Sequence, residues 1–231
     1  MLPHRTIRGF TTFAVPGEDA IVSLADQADG LLIAVNAEKL ARADQVLRRI
    51  VNANVGYPDG MGAVLALRRL GLRSDRVAGA DLWVRLVREY ATTRRFHLIG
   101  STPEVIQAVA SKLRADYPGI DLRFRDGYLD PEQVDRLTEE FTTTRPEVVL
   151  VGMGSPRQEV LMERLFKAHP ALYMGLGGSF DVYVGRKPRA PLVVQTVGLE
   201  WAYQFVRAPR RLHRLPAYLK FAMLLALGRL E

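Results

Sequence analysis

Short apolar runs alternate with amphipathic stretches along most of the chain. "GLLIAVNA" (30–37), "RRFHLIG" (94–100), "IDLRFRDG" (120–127), "EVVLVGMG" (147–154) and "ALYMGLGG" (171–178) are rich in aliphatic residues and bounded by Gly, Asn or Asp. That is the pattern of strands buried on both faces. Between them lie helical periodicities such as "PEVIQAVASKLRADYPG" (103–119), with Pro in the first turn and Pro-Gly at the end. The alternation predicts an α/β fold: a Rossmann-like, mostly parallel sheet with helices on both faces, whose ligands bind beyond the strand carboxyl ends.

Polar clusters fall at those ends: Asn36 after "LIAV", Gly100-Ser101-Thr102, Asp126-Gly127-Tyr128, Gly152 to Gln158, and Gly177 to Asp181. Each alone is also what a βα turn is made of. Five at one edge of one sheet point to a site. "VGMGSPRQE" (151–159) sets Gly152, Gly154 and Ser155 before a helix expected to begin at Pro156, so amides at a helix N-terminus would face an anion such as a diphosphate. It is neither a Walker loop nor a full G-x-G-x-x-G. In "GLGGSFDVYVG" (175–185), Gly177 and Gly178 form a second glycine-rich strand end, and Asp181 either accepts hydrogen bonds from a sugar or nucleobase or caps the next turn. "NVGYPDGMGAVLALRRLG" (54–71) fixes Asp59 between Pro58 and Gly60 ahead of a helical pattern. Read from the residues alone, Asp59 is either a turn or N-cap residue or a general base on a rigid strand-end turn.

With 231 residues, 48% of them hydrophobic, the chain has the composition of a folded protein. The exposed-looking joint "RKPRAP" (186–191) divides a catalytic domain, 1–190, from a C-terminal helical appendage, 191–231. The absence of cysteine excludes disulfides and thiol catalysis. No apolar run reaches the 18 or so residues of a membrane span, and the N-terminus lacks a signal-peptide core, so the protein is expected to be neither exported nor integral.

Charge changes the picture more than composition does. Residues 186–231 hold nine Lys/Arg against two acids, while the other 185 residues hold 23 of each. The whole +7 excess is therefore C-terminal and calls for an anionic partner: phosphate, nucleic acid or a lipid surface. From Pro209 on, Leu212, Leu215, Leu219, Met223 and Leu227 recur at spacings of three and four, with Pro216 as a kink or break. This reads either as a terminal helix docked on the core or as a membrane-surface helix, where each Lys or Arg near anionic headgroups adds about 1 kcal/mol. Arg207, Arg210 or Arg211, and Arg214 fall on one helical face. No Asp-x-Asp occurs and the four histidines show no ligand spacing, so neither a metal nor another cofactor is expected.

In order, "VNAEKL" (35–40), "DGMGAV" (59–64), "RVAGADLW" (76–83), "DGYLDPEQ" (126–133), "MGSPRQE" (153–159), "HPALYMGLGGSFDVYVGRKPRAP" (169–191) and "QTVGLEWAYQFVRAPRRLHR" (195–214) resemble the WecG/TagA/CpsF glycosyltransferases, glycosyltransferase family 26. The resemblance runs over nearly the whole chain. "VNAEK", "AGADLW" and "DGYLDPEQ" bring it nearest the branch that uses UDP-N-acetyl-D-mannosaminuronic acid in enterobacterial common antigen assembly.

The resemblance implies a Rossmann-like enzyme that moves a sugar, with inversion, from a UDP donor to undecaprenyl-diphosphate-linked N-acetylglucosamine. Asp59 matches the family's acid, whose proposed role is general base toward the acceptor hydroxyl. Asn36 stands where the teichoic-acid branch has threonine. Arg76, Gln158, Tyr128 and Asp181 match positions around the donor or active site. Without a metal, Arg76 and the arginines at 207, 210, 211 and 214 would neutralise the leaving diphosphate.

The appendage is implied to fold over the active site at the cytoplasmic face of the membrane, giving a peripheral protein whose apolar face can also drive self-association. Transfer of N-acetylmannosamine or glucose in teichoic acid or exopolysaccharide assembly is the alternative within the family. A nucleic-acid-binding module is compatible with the basic tail, but the tail lacks interleaved aromatics. A nicotinamide dehydrogenase would need a third glycine and a ribose-binding acid that this chain lacks.

Overall fold

The computed structural model of the protein describes residues 2–42, 44–191, 193–194, 203, 207, 212–213 and 215–230. Its centre is a six-stranded parallel sheet flanked by helices. The strands are β3 (Gly30–Val35), β4 (Val55–Pro58), β5 (Phe96–Gly100), β6 (Leu122–Arg125), β7 (Val148–Gly152) and β8 (Leu172–Gly175), in the order β4-β3-β8-β7-β5-β6. An antiparallel hairpin, β1 (His4–Ile7) and β2 (Phe10–Phe13), precedes them. The five apolar runs read from the sequence are five of the sheet strands.

The chain folds as two compact units, residues 1–18, 34–78 and 188–231 in the first, and 19–33 and 79–187 in the second. In the first unit α2 (Ala37–Arg42), α3 (Gln45–Asn52) and α4 (Met61–Arg69) join the strands, and α10 (Leu215–Ala226) is the C-terminal helix. Here β4 is a strand that the alternation rule did not reveal. It is four residues long, lies at the sheet edge and ends in Pro58, a residue that edge strands tolerate and central strands do not.

Pro216 sits in the first turn of α10, where its missing N–H costs nothing, and the helix runs on from it to Ala226. Phe221 is buried against α2 and α4, and the Arg69 guanidinium donates to the Ala226 carbonyl at 3.3 Å. Leu219, Met223 and Leu227, at 62%, 56% and 58% exposure, face outward. The stripe that periodicity singled out is thus the bare side of the helix.

In the second unit α1 (Glu18–Gln27), α5 (Gly79–Tyr90), α6 (Pro103–Asp116), α7 (Pro131–Thr144), α8 (Arg157–Ala168) and α9 (Ser179–Tyr183) accompany the strands, and β5, β7 and β8 are buried along their whole length. "DPEQ" is a helix start: the Asp130 carboxylate accepts the Gln133 backbone N–H at 2.7 Å, and the Gln133 side-chain oxygen Oε1 accepts the Asp130 backbone N–H at 2.9 Å. The chain leaves β5 toward β6 and leaves β7 toward β8, in opposite directions, so the neighbours β5 and β7 mark a topological switch point. Among the described residues, no helix is long and apolar enough to cross a membrane.

Candidate active site

In the first unit two backbone hydrogen bonds gather three of the expected residues. The Asp59 N–H donates to the Val35 carbonyl at 2.9 Å, and the Val77 N–H donates to the Pro58 carbonyl at 3.1 Å. Asn36, Asp59 and Arg76 are each one residue from, or part of, those bonds, so the ends of β3 and β4 and the segment before α5 meet there. Gly60 follows Asp59 with φ of +99°, a conformation that a side chain would strain. It lets the chain turn sharply from β4 into α4 and leaves Asp59 at the helix entry.

Asn36 caps α2, its Oδ1 accepting the Lys39 N–H at 3.1 Å. That fixes the side chain and leaves its amide nitrogen as the donor end. Lys39 is turned inward: its ammonium donates to the Ala34 carbonyl at 2.7 Å and the residue is buried.

Behind this turn, a Cβ added to Gly62 would lie 3.1 Å from both Ala37 Cβ and the Phe221 ring. The N-termini of α2 and α4, which follow Asn36 and Asp59, therefore rest on the same aromatic side chain of α10.

In the second unit the strand-end glycines converge at the switch point. Gly100 and Gly152 are register partners, and the Ser101 N–H donates to the Gly152 carbonyl at 3.1 Å. Gly100 has φ of +139°, and a Cβ there would lie 2.3 Å from the Gly152 oxygen. A Cβ on Gly152 would lie 2.6 Å from the Phe180 ring. These two glycines are first of all a matter of room.

Asp126 folds its own loop by accepting the Tyr128 N–H at 2.8 Å, which presents the Tyr128 ring to solvent at 65% exposure. Arg157 reaches the neighbouring Gly127 carbonyl at 3.5 Å. Helix α8 starts after Gly154, Ser155 and Pro156 with no side-chain cap, one residue later than expected.

Gln158 is 4% exposed; its Oε1 accepts the Gly177 N–H at 2.9 Å and its Nε2 donates to Glu159 at 3.1 Å. It thereby ties the first turn of α8 to the turn after β8. Gly178 borders open space. Asp181 belongs to α9 and pairs with the Lys187 ammonium at 3.0 Å, so a ligand using its carboxylate would share it with that lysine.

Arg207 is exposed, its Nε donating to the Tyr203 hydroxyl at 3.2 Å. Arg210, Arg211 and Arg214 lie outside the described residues. Among the described residues, no three His, Asp or Glu side chains form a group that could hold a metal ion.

A family model, that of the glycosyl transferase WecG/TagA/CpsF family, matches residues 11–231. The chain belongs to this family. A glycosyltransferase takes a sugar donor and an acceptor. Sequence reasoning passed over Glu159 and Phe221 in this glycosyltransferase. Glu159 carried a signal, since it shares an inward helix face with Met162 at i+3. Phe221 carried none, because it stands off the aliphatic stripe.

Proposed function

We propose that this glycosyltransferase is an inverting, metal-independent enzyme of the UDP-sugar class. It transfers N-acetylmannosaminuronic acid or a close relative to undecaprenyl-diphosphate-linked N-acetylglucosamine in bacterial surface polysaccharide assembly. Asp59 takes the proton of the acceptor hydroxyl as that oxygen bonds the anomeric carbon, and the bond from that carbon to the UDP oxygen breaks. Asn36 orients the acceptor through its amide nitrogen. Arg76 offsets the charge that develops on the diphosphate, a preorganised role worth roughly 3–4 kcal/mol for a single donor. Tyr128 offers a face for the base, and Gly152, Gly154, Ser155, Gly177 and Gly178 let a diphosphate approach backbone amides.

The observation that supports this reading is the backbone hydrogen bond from the Asp59 N–H to the Val35 carbonyl, which ties the residue at the entry of α4 to the end of β3, one residue before Asn36. Residues 1–190 carry the chemistry and 191–231 meet the cytoplasmic face of the membrane, the exposed Leu219, Met223 and Leu227 favouring lipid over nucleic acid as the anionic partner.

The test is UDP release from purified protein given a lipid-linked N-acetylglucosamine acceptor and, in turn, UDP-N-acetylmannosaminuronic acid, UDP-N-acetylmannosamine and UDP-glucose. Release with the first supports the reading, release with either of the others moves it to that donor, and none with all three rejects it. Asp59→Asn should keep donor affinity and lose turnover by several orders of magnitude; near-normal turnover would remove Asp59 as the base.

A further inference from the structure

The first turn of α8 buries two polar side chains, Gln158 almost completely and Glu159 wholly. The Gln158 carboxamide is held from two sides, by the Gly177 N–H on Oε1 and by Glu159 Oε1 on Nε2. Its space exists because position 175 is glycine: a Cβ there would lie 2.6 Å from Nε2. A carboxamide can be turned end for end with little change of shape, so packing does not choose which end carries the oxygen. The partners choose. In the reversed amide two acceptor oxygens would meet at Glu159 and two N–H donors at Gly177, all buried. Gln158 has two amide protons, and the bond to Glu159 uses one of them.

We infer that Glu159 is a positioning residue for donor binding: its buried carboxylate holds the Gln158 carboxamide with the oxygen on Gly177 and the second N–H directed to an acceptor oxygen of the sugar-nucleotide. This rests on the reading of Gln158 as a donor-site residue. Such a contact exists both in the bound complex and in the transition state, so losing it raises KM more than it lowers kcat.

The experiment uses the full chain with four variants: Glu159→Leu, which removes the acceptor, Glu159→Gln, which keeps an accepting carbonyl, Gln158→Ala, and Gln158→Ala with Glu159→Leu. KM and kcat are measured with UDP-N-acetylmannosaminuronic acid, UDP affinity by calorimetry, and the Gln158 side-chain amide pair by 15N–1H correlation. Glu159→Leu should raise the donor KM roughly tenfold to a hundredfold, as expected for a lost hydrogen bond to a charged group, and collapse the distinct Gln158 amide shifts. Glu159→Gln should restore most of both. The double variant should be no worse than Gln158→Ala alone.

A folded Glu159→Leu protein with wild-type KM and unchanged amide signals overturns the inference, as does a double variant whose loss is the product of the two single losses. Should Glu159→Leu fail to fold, the same cycle run with Glu159→Met, which keeps the length of the side chain and lacks the accepting oxygen, decides. Wild-type protein that neither binds UDP nor releases it sinks the transferase reading and the donor-facing role with it. Wild-type protein that binds and releases UDP, beside a folded Glu159→Leu protein whose donor KM is unchanged, sinks this inference alone.

Discussion

His97 gives the sharpest prediction about stability. It is the second residue of β5, 2% exposed, and among the described residues neither ring nitrogen has a hydrogen-bond partner. Its cross-strand partner on β6 is Arg123, Arg125 is close by, and the Phe141 ring of α7 packs 4.9 Å from its centroid. Burial, and then the two guanidinium groups, push its pKa down from 6.5 to about 4. The folded value lies below the unfolded one, so between pH 6.5 and 4 the unfolded chain binds the extra proton. The contribution is fully present above about pH 6.5 and is lost as pH falls to about 4, by about 3 kcal/mol in all and at most about 1.4 kcal/mol per pH unit.

Urea unfolding followed by far-UV circular dichroism, in steps from pH 7.5 to 4.5, reads this directly. Carboxylates titrate in the same window, so the comparison is with His97→Leu, which has an apolar side chain of similar size and no proton to bind. The wild type should lose stability toward pH 4.5 relative to the variant by about 2–3 kcal/mol. Parallel curves for the two proteins would refute the assignment of a buried neutral imidazole.

Other outcomes follow from the packing. Phe221→Ala should cost about 3–5 kcal/mol and appear in hydrogen exchange as lost protection across residues 215–226. Gly152→Ala, which drives a methyl group into the Phe180 ring, should destabilise by about 1–3 kcal/mol in the same urea assay. Replacing Leu219, Met223 and Leu227 together by Ser should leave the melting temperature nearly unchanged, since all three are exposed, and should abolish flotation with anionic vesicles; retained flotation would place the lipid contact elsewhere.

The strands were legible because a buried parallel strand has no polar side to interrupt its apolar run, and five such runs stood out. Strand β4 did not, because Gly56 and Pro58 dilute a four-residue edge strand that pairs on one side only. Asp59 could be located as a carboxylate in a turn, but its tie to Val35 depends on strand order, which no local pattern contains. The strand-end glycines were visible as a cluster, yet two of them prove to make room for a backbone oxygen and a phenyl ring. Periodicity found the aliphatic stripe of α10 and could not say that its opposite side would be buried: Phe221 breaks the i, i+4 series, and only the notch at Gly62 gives it a place.

That notch has a consequence for how these positions can change. Ala37, Gly62 and Phe221 share one small volume, with a 3.1 Å margin at the glycine, so they form a single steric unit distributed over three helices far apart in the chain. Enlarging any one asks another to shrink. Gly62→Ala should therefore be poorly tolerated in the present background and rescued by Phe221→Leu, and chains that differ here should differ at two of the three positions together.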